Sequence, residues 1–250
     1  MIPLRLAPLA GLLCIAAALA ALQQAIRAGL IDVYIVPLPT DMLAALPRLV
    51  TEEHVIARFA LTFGETLAAG LLALTTGVAI GMTLHHWPRL RQAFESWFAL
   101  LAAAPLIMAY PLFLVLFGRG PLTIIVIAFA SALAPVVLKT VEGFAAIRPA
   151  LIDVGRNLRL TRLQSFRLIL LPAALPQIFT GLRLALIFAL INVVGVEFLI
   201  NLGGLGQLIN ELAERFDLPG TWAAIGLVVL ISICFFLLLE GGERWLRARS

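Results

Sequence analysis

Residues 151–172 read LIDVGRNLRLTRLQSFRLILLP and set Arg156, Arg159, Arg162 and Arg167 against a single acid, Asp153. The surrounding chain is lipid-like: 62% of its 250 residues are hydrophobic, 13% are charged, and the mean hydropathy is +1.06. That balance belongs to a polytopic membrane protein. The basic stretch therefore joins two membrane spans, and its punctuation decides whether it is a spacer or a built part. Pro149 suits the first position of a helix, where its missing N–H costs nothing. Leu151, Val154 and Leu158 follow at spacings of three and four, opposite Asp153, Arg156 and Asn157. After a break near Leu160, Thr161 and Gln164 have the spacing of a capping box, which predicts a second helix starting at Thr161. Leu163, Phe166 and Leu170 share one face of it, and Pro172 marks where it ends or bends into the next span. The expected object is a rigid knob of two short amphipathic helices.

Crossing about 30 Å of hydrocarbon takes about 20 apolar residues. Six runs meet that length approximately: 6–22, 59–84, 97–117, 121–138, 173–200 and 221–239. The first is short and alanine-rich behind Arg5, and we take it as a retained span and not a cleaved signal peptide. Basic residues set the direction, because Lys and Arg stay on the cytoplasmic side. With the N-terminus inside, twelve Lys and Arg residues fall in inner segments and five in outer ones, while Arg183 lies within a span. Both termini and the 151–172 stretch are then expected to be cytoplasmic, in a multi-pass protein of a bacterial inner membrane. The chain divides into a first helix with its outer loop (1–58), a five-helix core (59–240) containing the loop 139–171, and a tail (241–250).

Several functions are excluded by what is missing. A net charge of +4 and a pI near 9.8 raise the question of nucleic acid, but no water-exposed basic module with base or phosphate readers is present. The two cysteines, Cys14 and Cys234, lie in apolar runs and are expected in the core, with neither a disulfide framework nor a cysteine metal site. His54, His85 and His86 fall outside the spans, so no embedded histidine base or metal ligand is expected. A Walker phosphate loop needs a Gly-Lys-Ser/Thr ending, and the only lysine, Lys139, follows Leu138. The chain is therefore not expected to be an enzyme, and no cofactor or metal is expected on it.

The loop and its closing LP resemble the cytoplasmic signature of ABC importer permeases. That pattern begins Glu-Ala-Ala, has a glycine four residues after the second alanine, and ends Ile/Leu-x-Leu-Pro. Here Asp153, Val154 and Gly155 hold the first three positions, Arg159 the glycine position and Leu171-Pro172 the last pair. Three other stretches are similar to the same family: VPLPTDMLAAL (36–46), PLFLVLFGRG from Pro111 and GVEFLINLGGLGQLI from Gly195. The likeness is strongest to the nitrate, sulfonate and taurine group. It implies an all-α, six-span type I importer (MetI-like) fold with cytoplasmic coupling helices. Asp153, Val154, Gly155, Arg156, Leu158 and Arg159 would form the docking surface for separate ABC ATPase subunits, two copies carrying ATP and Mg. Further implied partners are an extracellular or periplasmic substrate-binding protein, a second permease subunit, taken as a homodimer, and the lipid bilayer. The cargo implied is a small anion such as nitrate, a sulfonate or taurine. Arg159 departs from the pattern: if its position needs a left-handed backbone, a side chain there costs about 1–2 kcal/mol.

Charges inside spans are functional candidates because they are costly. Glu65, Arg183 and Glu197 qualify, each with a structural alternative: a partner for a neighbouring helix, a carboxylate pair, and a helix-end contact at the outer gate. Pro105 and Pro111 remove donors in the third span and can kink it beside a path. These charges also keep open an ion-coupled secondary transporter, although no internal repeat of the kind such carriers contain is evident.

Overall fold

The computed structural model describes residues 7–247 and is built from helices. At its centre three long helices pack side by side: α3 (Val55–His86), α6 (Pro121–Ala145) and α9 (Leu171–Ile200). Helices in lipid gain little from hydrophobicity alone and associate through close packing of small residues. The sequence supplies those residues on matching faces. Gly70, Gly77 and Gly81 of α3 abut Leu186, Val136 and Thr140, so a side chain at any of them would overlap its neighbour. Ala69 and Ala73 of α3, Ala128 and Ala132 of α6, and Ala185 and Ala189 of α9 fill the shared core.

Four described helices are long and apolar enough to cross a membrane: α3, α6, residues 162–200, and Leu218–Glu243 of α11 (Leu218–Arg247). A bent pair of helices is long and apolar enough for a fifth crossing when its two halves are taken as one span. The span expected over 97–117 is not continuous: α4 (Pro88–Ala103) and the segment Leu106–Phe117 meet at an 85° bend. The bend falls at Ala104-Pro105, where the chain is extended, and is followed by a 3-10 turn (Leu106–Ala109) and α5 (Tyr110–Phe117). Pro105 lacks an N–H and its ring crowds the preceding turn. Pro111, by contrast, sits in the first turn of α5, where proline is tolerated, so it starts a helix and does not kink one. The first expected span corresponds to α1 (Ala7–Arg27), whose described apolar part is Leu13–Arg27. Met1–Leu6, including Arg5, and residues 248–250, including Arg249, lie outside the described residues.

Two amphipathic helices flank the end of the bundle that holds the first residues of α3. Helix α2 (Pro39–Thr51) buries Ala45 and Leu49, and α10 (Gly204–Glu214) buries Leu205, Leu208 and Leu212. Both pack with α11 into a second apolar cluster containing Ala223 and Ala224. Ion pairs tie their loops together: Arg58 to Glu211 at 2.7 Å, Arg215 to Glu53 at 2.8 Å, and Arg48 to Asp217. Cys14 and Cys234 are free and exposed on the helix surface, not in the core expected for them; each stands among other exposed apolar side chains, such as Leu13 and Ile15 on α1 and Ile233 and Leu237 on α11.

Candidate functional site: an exposed elbow and a buried latch

The basic stretch folds into an elbow. Helix α7 (Pro149–Asn157) carries Pro149 in its first turn and ends in a Schellman motif. There the Arg159 N–H donates to Arg156 O at 2.9 Å and the Leu160 N–H to Gly155 O at 3.1 Å. Closing that motif puts Arg159 in the left-handed region at φ 51°. The chain then restarts at Thr161. Its Oγ1 accepts from the Gln164 N–H at 3.3 Å, and Gln164 Oε1 accepts from the Thr161 N–H at 2.9 Å, a complete capping box.

The second short helix expected from the sequence does not stand free. Helix α8 (Arg162–Ser165) runs through a π-turn (Phe166–Leu170) directly into α9, so one helix extends from Arg162 to Ile200. Pro172 neither ends nor starts it. A proline inside a helix has no N–H and crowds the carbonyl four residues back, and the wider π-turn just before it makes room. Phe166 stacks on Phe144 of α6 with ring centroids 6.3 Å apart, which anchors the elbow's root to the bundle.

The six residues from the loop signature divide by burial. Gly155 is buried: a Cβ there would lie 2.9 Å from Ile169 Cδ1 and 3.4 Å from Ser165 Oγ, so its place is the seam between α7 and the helix after it. Asp153, Val154, Arg156, Leu158 and Arg159 are exposed. Asp153 and Arg156 pair at 3.2 Å on that surface, a contact too solvated to hold the fold. Leu151, Val154 and Leu158 form an apolar stripe that the described residues leave 41%, 48% and 66% exposed.

At the far end of the bundle lies a second constellation, which we term the latch. Glu197, near the end of α9, is fully buried. Thr62 of α3 donates its hydroxyl to Glu197 Oε1 at 2.7 Å and accepts the Leu205 N–H at 2.9 Å. The Gly206 N–H donates to Glu197 Oε2 at 2.9 Å. The carboxylate thus sits at the start of α10, where orphan N–H groups favour negative charge. Gly204, at φ 77°, and Gly206 permit this approach: a Cβ on the first would strike the Glu197 carboxylate, and on the second the Val194 carbonyl. Glu65, one turn beyond Thr62, lies against the same carboxylate. Arg119 closes the α9 terminus, donating to Ile200 O at 2.7 and 3.0 Å.

Arg183 is elsewhere. It pairs with Glu243 of α11 at 2.9 Å and stacks over Phe236 at 5.5 Å, so its charge is balanced within the chain. Pro105 marks the bend, and the turn that follows it brings Ile107 against Gly195 of α9, two residues from Glu197. Sequence reasoning missed Thr62, Glu243 and the helical character of α10. For α10 a signal existed: Leu205, Leu208 and Leu212 keep helical spacing directly after the glycines. The 420 Å³ cavity between α3 and α11, lined by Phe59, Phe63, Leu230 and Phe235 among others, contains no charged side chain, which suits lipid better than a polar cargo.

Residues 54–248 match the family of binding-protein-dependent transport system inner membrane components. The chain belongs to this family. It is an ABC importer permease. Similar proteins include the taurine transport system permease protein of Escherichia coli K12, 27% identical over 197 residues, which are 79% of this chain and 69% of that protein. The nitrate import permease of Leptolyngbya laminosa is 29% identical over 64% of this chain and 57% of its own length. The riboflavin transport system permease of Chloroflexus aurantiacus is 31% identical over 64% and 60%. In the latter two, the matched region thus spans about three fifths of the relative. Among solved structures, an inward-facing MetNI methionine ABC transporter superposes with a TM-score of 0.67 at 19% identity, over 77% of this chain and 95% of that one. An amino acid ABC transporter superposes with a TM-score of 0.64, also at 19% identity, over 80% and 97%. Family membership replaces the ion-coupled carrier as the functional class, and the superpositions agree with the all-helical MetI-like fold.

Proposed function

We propose that this permease forms the substrate path of an importer whose ATP hydrolysis resides on separate subunits, and that those subunits grip the α7 elbow. The observation that carries the reading is the exposed stripe of Leu151, Val154 and Leu158 on a helix whose C-terminal end is fixed by the Schellman motif and by the capping box that follows it. A short helix whose apolar face the described residues leave exposed fits the groove of another protein, the ordinary mode of helix recognition. Asp153, Arg156 and Arg159 border the stripe and would set register, while Gly155 keeps the elbow closed on Ile169.

In this reading two copies of the chain enclose the path, each elbow seats in one of two ATPase subunits holding ATP and Mg, and both termini face the cytoplasm of a bacterial inner membrane. A soluble binding protein delivers cargo at the latch end. The cargo class favoured is a small anion, on the strength of relatives named for taurine, nitrate and aliphatic sulfonates. Other relatives are named for riboflavin and choline. Arg183, balanced by Glu243, adds nothing to the anion argument.

The test is uptake of labelled taurine, nitrate and choline into proteoliposomes holding the permease, the ATPase and binding protein encoded beside it, and ATP on the elbow side. Uptake of one anion, dependent on both ATP and the binding protein, is expected. Anion uptake by the permease alone without ATP would contradict the proposal, and ATP-driven uptake of choline would correct its cargo.

A further inference from the structure

The latch holds a charge problem that its hydrogen bonds do not solve. Glu65 is 4% exposed, and neither of its carboxylate oxygens has a hydrogen-bond donor. Its neighbour is Glu197, fully buried and already accepting from Thr62 and Gly206. Two acceptors pressed together within a membrane span bond only if something positive lies between them, and two adjacent buried carboxylates do not both stay ionised.

Among the described residues no side chain supplies that charge: Arg119, at the same end of α9, donates to the Ile200 and Asn201 carbonyls. On α3 the nearest base, Arg58, is paired with Glu211 of α10. On α9 the other charge is Arg183, about four turns away and paired with Glu243. Helix α6 carries Lys139 and Glu142 near its opposite end, paired with each other. Helix α11 carries its charges, from Glu240 onward, at the end remote from the latch. Helix α10 adds only Glu211 and Glu214. A metal ion is poorly served as well: Thr62 Oγ1 and Glu197 Oε2 already accept backbone N–H groups, and the described residues contain no cluster of three or more His, Cys, Asp or Glu side chains.

We infer that Glu65 and Glu197 form a proton-binding site in which Glu65 is the carboxylic acid and donates its O–H to the Glu197 carboxylate. One proton then joins α3 to α9, while the remaining bonds of Glu197 join both helices to the start of α10. Glu197 is the fixed acceptor because the Thr62 hydroxyl and the Gly206 N–H stabilise it as an anion, whereas Glu65 has no such donor. If the latch opens during transport, as the import reading requires, the pair separates and the proton is exposed at that end.

The experiment is infrared spectroscopy of the purified full-length permease in lipid nanodiscs near neutral pH, in H2O and D2O, with thermal unfolding from about pH 6 to about pH 9. The wild type is expected to show the carbonyl stretch of a protonated carboxyl, shifted in D2O, and E65Q is expected to lack it. Because the native state holds a proton that the unfolded state releases above the ordinary carboxylate range, the wild-type Tm should fall by several degrees as pH rises. E65Q, whose amide still donates to Glu197, should show a flatter profile. Should E65Q fail to accumulate, E65L makes the same infrared comparison. Absence of the wild-type band overturns the inference, as does a Tm that ignores pH and rises with sodium or potassium, which would place a metal ion between the carboxylates. The infrared and unfolding readouts need no transport, so they stand or fall separately from the import reading.

Discussion

The elbow and the latch use the same local devices and direct them to opposite ends. Each follows a helix that ends in a left-handed residue, Arg159 at φ 51° and Asn201 at φ 50°, and each restarts the chain with a carboxylate or hydroxyl bonded to backbone N–H groups. At the latch every such group is turned inward: Thr62, Glu65 and Glu197 are at most 4% exposed, and the glycines let backbone touch backbone. At the elbow the bonds are local, between residues 155 and 165, and the side chains they organise point away from the protein. On the docking reading proposed above, the difference follows from what each region does. A site that holds helices together makes its contacts within the chain, whereas a site built for a partner arrives folded with its apolar face bare.

Mutations should separate the two. The largest effect is expected from Gly206→Leu, which forces a side chain into the Val194 carbonyl and the Phe198 amide. Stability should drop by about 3 kcal/mol or more, visible as loss of folded protein in detergent. Glu197→Ala comes next: it strands the Gly206 N–H, while the Thr62 hydroxyl keeps Arg58 O at 3.2 Å, and an unsatisfied buried group costs about 1–3 kcal/mol. A clear drop in Tm checks it. At the elbow, Gly155→Val should cost less, about 1–3 kcal/mol, because Ile169 Cδ1 and Ser165 Oγ are side-chain atoms that can shift. Its uptake should nonetheless fall steeply, since α7 is displaced. Arg159→Gly removes left-handed strain and should raise stability by about 1 kcal/mol at most, while uptake falls modestly because one register contact is lost. Full uptake at a raised Tm would remove the arginine side chain from the docking surface.

The elbow was the more legible of the two because its determinants lie within one short stretch, residues 149–164. Pro149, the apolar spacing, and Thr161 with Gln164 all act locally, and the capping box formed where the spacing placed it. Continuity through Pro172 was not legible, since the π-turn that absorbs it is a packing response to Phe144 and the α6 helix. The latch was legible only as loose charges. Glu197 meets Thr62 across 135 residues and Arg183 meets Glu243 across 60, and no local pattern encodes either meeting. Pro105 announced a disturbance in the third span, but the 85° of the bend depends on what the flanking helices pack against. All-helical membrane architecture followed from hydropathy alone, because lipid leaves the backbone few alternatives.

One measurement reaches the central claim most directly: co-purification of the ATPase subunits with permease carrying Val154→Asp and Leu158→Asp, alongside the Tm of each permease in detergent. Both side chains are exposed, and neither belongs to a buried core cluster. The account predicts an unchanged Tm and loss of the ATPase from the double variant, while wild type retains it. An ATPase that stays bound, with ATP-driven uptake intact, would show that the elbow is not where the motor holds the gate.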